Sequence, residues 1–337
     1  MYKVAVIILN WNGQSLLSQF LPSVVQYSNL PGVKIIVADN GSIDNSKEVV
    51  SSFETVAWLD LKKNHGFAGG YNLSIKEVEA EYVVLLNSDV EVSEGWLEPQ
   101  INFLDNNPTV AASQPKILSW KEPTKFEYAG AVGGFIDYLG YPFCRGRIMN
   151  TLEEDRGQYN KTIPIFWATG AALMIRRSVY LEVGGLDERF FAHMEEIDLC
   201  WRVGARGYGI VAIPESKVFH VGGATLNKQN PKKTYLNFRN NLLMLYKNLP
   251  ENKLKSVEQK RLVLDYIAIM FYLVKGECKN AKAVLRARKD YAHMKAEYAA
   301  IREENLEKTV QTPKGVVQKS IIYQYFIKRV KYFSSLI

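Results

Sequence analysis

Short apolar runs alternate with helix-like segments through the first hundred residues. This pattern predicts an α/β domain, with a mostly parallel central sheet covered by helices on both faces and a helical extension at its C-terminal end. Three observations carry that expectation. Residues 3–9, 33–38, 56–61 and 82–86 are apolar, rich in β-branched side chains and of strand length, and the first two end in the polar turns Asn-Trp-Asn-Gly and Asp-Asn-Gly-Ser. Between them, residues 16–27, 46–53 and 70–79 read as helices. Beyond Gly222-Gly223 the chain turns helical again, over 235–248, 256–275 and 280–307. In sheets of this kind ligands sit beyond the carboxyl ends of the strands, where these polar loops fall.

The middle, 109–192, is less regular. Gly130, Gly133, Gly134, Gly140 and Pro142 divide it into short strands and turns, Glu153-Glu154-Asp155 reads as an exposed loop, and residues 167–177 return to a strand-like run. No internal repeat is found. With 337 residues, 47% apolar and 12% aromatic, the chain can build a substantial core, which excludes a disordered class. Cys144, Cys200 and Cys278 are odd in number and widely spaced, matching neither a disulfide framework nor a zinc motif, so a reducing compartment is expected. The first residues lack a basic leader and cleavage site and read as a strand, not a signal peptide. The apolar run 262–274 falls short of the roughly 20 residues a transmembrane helix needs.

The net charge of +7 conceals an asymmetry. Residues 1–229 hold 20 basic and 26 acidic side chains, a balance of −6; residues 230–337 hold 22 and 9, a balance of +13.

Carboxylates set in apolar surroundings mark the chemistry, because desolvating an unpartnered charge costs several kcal/mol, to order of magnitude. Asp39-Asn40-Gly41-Ser42 follows the second strand; it can accept hydrogen bonds from a base or ribose, and equally it can be a helix cap and turn. The stretch from Asn64 to Asn72 (NHGFAGGYN) has the glycines for close backbone approach and precedes a helix, which suits a diphosphate, yet it is neither a dinucleotide fingerprint nor a P-loop. Asn87-Ser88-Asp89, with Glu91 nearby, ends a strongly apolar strand where a carboxylate can ligate a hard divalent cation or close an Asx turn. In HMEEIDLCWR, residues 193–202, helical spacing puts Glu195 and Asp198 on one face and pairs Asp198 with Arg202, while Glu196 points about 100° away without a partner. An unpaired carboxylate facing a cleft is a natural general base. His220, before a glycine pair, reads as a core histidine or as a ligand at a loop end.

These motifs occur in a known order. NWNG, ADNGSIDNS, NHGFAGGYN, LLNSDVEV, ATGAALMIRR, HMEEIDLCWR with Gly207-Tyr208, and FHVGGAT together resemble the family 2 glycosyltransferases of the GT-A fold, most closely the rhamnosyltransferase-like bacterial branch, over residues 3–240. The resemblance implies inverting transfer of a sugar from a nucleotide-diphosphate donor (dTDP-rhamnose or a UDP-sugar) to a hydroxyl of a saccharide or lipid-linked saccharide acceptor in cell-surface polysaccharide assembly. It implies a catalytic domain over 1–240, with a nucleotide-binding half 1–107 and an acceptor-binding half 108–240, then a basic helical extension 241–337. Asn10, Asn12 and Asp39 match positions that hold base and ribose; Asn64, Gly66, Phe67 and Gly70 match the loop closing on the nucleotide diphosphate. Asp89 matches the last aspartate of the family's DXD motif, with Asn87 at its first position and Ser88 between. Asp89 and His220 are the implied ligands of a divalent cation, Mg²⁺ or Mn²⁺. The family's base is usually the aspartate of a Glu-Asp pair; that position is Glu196 here, with Glu195 as the alternative. Thr169, Gly170 and Ala171 match a segment lining the donor-sugar and acceptor cleft, and Trp167 can stack on a sugar or pack in the core.

The extension has two readings. Ile267, Met270, Phe271, Tyr272 and Leu273 beside Lys275, Lys279, Lys282, Arg286, Arg288 and Lys289 suit an anionic membrane surface, giving a cytoplasmic protein at the inner face of the membrane. Alternatively the helices pack on the catalytic domain or on a second subunit in a homodimer. A catalytically degenerate homologue and a non-enzymatic anion or nucleic-acid binder are the competing functions; the carboxylate clusters argue against nucleic acid as partner.

Overall fold

The computed structural model describes residues 1–222 and 230–336; the tail of the FHVGGAT motif, from Gly223, lies outside them. In chain order the strands are β1 (Tyr2–Asn10), β2 (Val33–Asp39), β3 (Val56–Asp60), β4 (Ala80–Asn87), β5 (Val90–Val92), β6 (Val110–Ser119), β7 (Gly134–Asp137), β8 (Pro142–Cys144), β9 (Arg147–Ile148), β10 (Thr151–Leu152), β11 (Ile163–Pro164), β12 (Ala172–Arg176), β13 (Gly209–His220) and β14 (Val316–Val317). The helices are α1 (Gln14–Tyr27), α2 (Ser46–Ser51), α3 (Gly66–Glu77), α4 (Glu98–Asn106), α5 (Arg177–Glu182), α6 (Glu195–Ala205), α7 (Pro231–Asn248), α8 (Glu251–Val274), α9 (Cys278–Met294), α10 (Ala299–Glu307) and α11 (Ile321–Phe326).

A nine-stranded sheet runs β11-β13-β6-β12-β4-β1-β2-β3, with β5 on β13. Its first half is parallel, as expected: β1 pairs with β2 and β4, and β2 with β3. The second half is mixed, because β12 enters antiparallel between β4 and β6. A two-residue period sorts the buried side chains. Val4, Val6 and Ile8 of β1 join Leu17, Leu21 and Val24 of α1 on one face, while Ala5 and Ile7 join Tyr71 and Ile75 of α3 on the other. Each such large side chain contributes roughly 1.5–3 kcal/mol by leaving water. Helices therefore cover both faces, with α1, α2 and α4 opposite α3, α5 and α6.

Register places the site. Asn10 stands beside Asp39 and Leu9 beside Asn87, so the ends of β1, β2 and β4 finish level. The strand expected over 167–177 is shorter, because residues 167–171 cross the sheet end as a loop before β12 begins. The helix expected over 280–307 is broken by a tight turn at Ala296–Tyr298, where the fully buried Tyr298 ring lies under Arg189 and Lys247.

The C-terminal helices pack onto the α/β domain. Helix α7 runs through residue 240 without a break, and Leu242, Leu243, Met244 and Leu245 share one apolar cluster with Ile7 and Leu85. The chain's end also closes the second, five-stranded sheet, order β10-β9-β8-β7-β14: β14 lies parallel to β7, Asp137 accepts from Ile321 N at 2.9 Å, and Phe333 packs on Phe135 and Phe143.

Candidate active site

Asparagines and one aspartate hold the loops beyond β1 and β2 together. Asn10 Nδ2 donates to Asp39 Oδ1 (3.0 Å) and Ser42 Oγ (3.1 Å), and Ser42 N donates to Asp39 Oδ2 (3.0 Å). Asn12 N donates to Ser42 Oγ (2.8 Å) and Asn12 Oδ1 accepts from Ile43 N (2.9 Å). Asn10 Oδ1 remains a buried acceptor without a partner. The adjacent Asn40 fixes the next loop: its Nδ2 donates to Asn64 Oδ1 and Gly66 O (both 3.1 Å), and its Oδ1 accepts from His65 N (2.8 Å). Asn64 Oδ1 also takes Gly66 N (2.8 Å), so the glycine loop is itself the first turn of α3, which starts earlier than the pattern of apolar residues predicts. At Gly70 a Cβ would come within 2.6 Å of Leu9, so this glycine lets α3 lie close on β1.

At the end of β4, Asp89 faces His220 from the end of β13. Asp89 Oδ1 lies 3.1 Å from His220 Nε2, and Asn87 Nδ2 lies 3.5 Å from the same nitrogen. On the far side of the ring, Glu127 Oε2 stands 3.4 Å from Nδ1, close enough for an ion pair but outside a well-formed hydrogen bond. Burial opposes charge on this imidazole, yet Asp89 and Glu127 outweigh it and push its pKa up to about 10. Ser88 Oγ is turned toward the β1 loop, 3.9 Å from where a Gly13 Cβ would stand.

With the proton displaced from Nε2, this donor set would suit a divalent cation. Two ligands each about 2.1 Å from an octahedral ion stand about 3 Å apart, which is the spacing of Asp89 Oδ1 and His220 Nε2. Glu127 behind the ring supplies the carboxylate that orients a metal-binding histidine and fixes its tautomer. Among the described residues no group of three or more His, Cys, Asp or Glu side chains forms a closed cage, so a cation here would take its other ligands from phosphate oxygens and water.

The acceptor end is built around the start of α6. Phe191, His193 and Met194 all have positive φ (67°, 69° and 74°), a conformation costing about 1–2 kcal/mol each for side chains of this size. Helix α7 holds that loop in place. Asn240 Nδ2 donates to the carbonyls of Phe190 (2.9 Å), Ala192 (2.9 Å) and His193 (2.8 Å), and Arg239 Nη2 donates to Phe190 O (3.0 Å). Glu195 is buried and Glu196 half-buried, and one carboxylate oxygen of each has no partner. Burial pushes both pKa values up, and for Glu195 repulsion from Glu196 adds to it. Asp198 is their opposite. It accepts from Arg202 Nε (3.0 Å), Lys247 Nζ (2.8 Å) and Asn248 Nδ2 (2.9 Å), and although burial acts to raise its pKa, Lys247 and Arg202 hold it below the usual carboxylate value.

The loop 167–171 joins the two ends. Asn87 N donates to Ala171 O (3.0 Å). A Cβ at Gly170 would press on Phe67 Cζ at 3.1 Å and touch Glu196 Cβ at 3.9 Å, so the glycine marks where the start of α3 and the start of α6 converge. Thr169 is buried, its N donating to Gln114 Oε1 (2.9 Å). Trp167 lies in the core beneath Gly134 and donates from Nε1 to Phe135 O (3.0 Å), and these contacts account for it.

Sequence reasoning placed Asn40 and Ser42 in a candidate motif without their bracing roles, and it missed Glu127 and Asn240. Glu127 carried a usable signal, a lone acid in the apolar, glycine-rich stretch FEYAGAVGG, the same kind of signal that marks Glu195 and Glu196. Asn240 carried none, since an asparagine in an amphipathic helix looks like any solvated position.

A protein-family model described as glycosyl transferase family 2 matches residues 5–184. The chain is 28% identical over 223 residues to the N-acetylglucosaminyl-diphospho-decaprenol L-rhamnosyltransferase of Mycobacterium tuberculosis, covering 60% of this chain and 71% of that one. It is 24% identical over 246 residues to the low-salt glycan biosynthesis hexosyltransferase Agl10 of Haloferax volcanii, covering 71% and 74%. Among solved structures, the mannosyltransferase PcManGT from Pyrobaculum calidifontis with GDP-Man and Mn²⁺ superposes with a TM-score of 0.53 at 13% identity, over 91% of this chain and 85% of that one. GalNAc-T7 with UDP, GalNAc and Mn²⁺ gives 0.52 at 16%, over 65% and 43%. The fold is thus that of the GT-A glycosyltransferases, and with its model matching more than half the chain, this protein belongs to glycosyl transferase family 2.

Proposed function

We propose that this glycosyltransferase moves a hexosyl unit, with rhamnose from dTDP-rhamnose or a sugar from a UDP-sugar as the leading donors, onto a hydroxyl of a saccharide or lipid-linked saccharide, with inversion and with a divalent cation. The observation that carries it is the convergence at Gly170 of Phe67 from the donor loop and Glu196 from α6, with Ala171 tied to Asn87 in the same segment. The candidate base thus sits on the helix that meets, at Gly170, the same segment that is tied to the end of β4.

In this reading Glu196 takes the proton of the acceptor hydroxyl. The freed oxygen attacks the anomeric carbon from the face opposite the diphosphate, the bond to the diphosphate breaks, and the electron pair leaves with it. The cation, Mg²⁺ or Mn²⁺, would be held by Asp89 and His220, and when bound it supplies charge stabilisation to the leaving diphosphate. Asn10, Asn12, Asp39, Asn64, Gly66 and Ser88 line the nucleotide side. Glu196 is the better candidate because it is half-buried with its Cβ beside Gly170, whereas Glu195 is buried. Replacing Glu196 by Gln is expected to lower turnover about 10²–10⁴-fold with nucleotide binding retained. Full activity in that variant would reject the assignment, and an NMR reading of retained anomeric configuration would reject inversion.

A cytoplasmic protein resting on an anionic membrane is the setting we favour. No helix among the described residues is long and apolar enough to cross a membrane. Helix α8 turns Leu262, Val263, Tyr266, Ile267, Met270 and Phe271 outward, next to the basic start of α9, whereas Tyr272 is turned inward against α9. Flotation with phosphatidylglycerol vesicles tests this. Recovery in the lipid-free fraction as a dimer would give the face to a second copy.

A further inference from the structure

Helices α7 and α9 face one another across an open cleft of about 690 Å³. Lys232, Tyr235 and Arg239 line it from α7, at spacings of three and four residues; Lys279, Lys282 and Arg286 line it from α9 at the same spacings. Five cations thus converge, and no carboxylate is among the lining side chains. The nearest acid on these helices, Asp290, is already shared: it accepts from Tyr235 OH at 2.7 Å and pairs with Arg286 Nε at 3.5 Å. Arg239 is committed to Asn240 and to main-chain carbonyls. Among the described residues the three lysines form no ion pair, and Lys232 rests over the Phe191 ring at 4.5 Å. Three uncompensated lysines in one concavity repel each other, and a polyanion relieves that repulsion.

Phe191 joins the cleft to the active site. Its exposed ring forms one wall, while its carbonyl lies 3.9 Å from the position a Cβ on Gly66 would take, in the donor loop. Glu196 follows five residues on. Three residues before Lys279, the turn at Gly276 leads back to α8 and its outward apolar face.

We infer that this cleft binds the diphosphate that links the acceptor saccharide to its lipid, so that the carrier lies along α8, the diphosphate sits between α7 and α9, and the sugar reaches Glu196. The inference rests on the glycosyltransferase reading above and adds to it a diphosphate ester as acceptor class. Lysines suit this ligand: an ammonium meets phosphate oxygens as a point charge without a fixed geometry.

Titration of the full chain with farnesyl diphosphate at 0.15 M salt, beside farnesol, inorganic pyrophosphate, and UDP or dTDP with Mn²⁺, tests it. Saturable binding of farnesyl diphosphate is expected, weakened at least tenfold in the double variant Lys279→Gln/Lys282→Gln, with nucleotide affinity and melting temperature unchanged because both lysines are exposed. Unchanged farnesyl diphosphate affinity in the variant would overturn the inference. So would a parallel loss of nucleotide affinity, which would give the cleft to the donor, and so would equal affinity for inorganic pyrophosphate, which would give it to a free anion. None of these readings needs turnover, so failure of the cleft and failure of the glycosyltransferase reading are separately visible.

Discussion

The two ends of the active site are assembled in opposite ways. At the donor end, loops 24 to 32 residues apart hold one another at the level ends of adjacent strands: Asn10, Asn12, Asp39 and Ser42 stitch two neighbouring loops, and Asn40 grips Asn64 and Gly66. The buried charge there is balanced on the spot, with His220 between Asp89 and Glu127. At the acceptor end almost nothing is local. The strained loop before α6 is held by Arg239 and Asn240, and Asp198 by Lys247 and Asn248, all from α7. Yet Glu195 and Glu196, a few ångströms along the same helix, keep unpartnered oxygens. The paired Asp198 anchors the helix, while Glu195 is buried and Glu196 half-buried, each with an oxygen that has no partner. The difference teaches that helix α7, beyond the sheet, fixes the geometry of the loop before α6 and of α6 itself.

Breaking the remote support should have the largest effect. Lys247 is buried and bridges Asp187 (2.7 Å) and Asp198 (2.8 Å). Lys247→Met removes the cation and leaves two buried carboxylates short of a partner, and stability is expected to fall by about 3–5 kcal/mol in urea unfolding. A loss under 1 kcal/mol would mean that Arg202 and Arg189 suffice and that α7 is dispensable to the site. The donor end should respond more mildly and in another observable. Glu127→Gln weakens the carboxylate behind His220, and Mn²⁺ affinity measured in the presence of UDP is expected to drop about 10–100-fold with little change in melting temperature. Unchanged affinity would reduce Glu127 to a structural acid and leave Asp89 to act without it.

The same contrast explains what the sequence could tell. The strands of the donor half, the carboxylates at their ends and the Asp198–Arg202 pair were legible because apolar runs, turn residues and helical spacing are local signals. The antiparallel entry of β12, the return of residues 316–317 into the second sheet, and Asn240 beneath the α6 loop were not. Each depends on contacts far apart in the chain, for which periodicity and turn chemistry carry no information. Glu127 lies between the cases: its isolation among apolar residues was visible, its partner was not.

Glu195 gives the smallest effect and the sharpest sign. Burial and the neighbouring Glu196 raise its pKa, so the folded protein favours the protonated acid more than the unfolded chain does. A raised carboxyl pKa contributes stability that is complete below the unfolded value near 4.5 and is lost as pH rises through the folded value. Above that range the ionised, unpartnered carboxylate is a standing cost, and Glu195→Gln removes it. The variant is therefore expected to melt about 2–6 °C above the parent at pH 8.5 and within a degree or so of it at pH 4.5. Equal melting at both pH values would show that Glu195 is not held protonated by its burial. A stabilised Glu195→Gln that also keeps its turnover would leave Glu196 alone as the base. A stabilised variant that loses turnover would move the proton transfer to the buried acid and end the division of labour between the two glutamates.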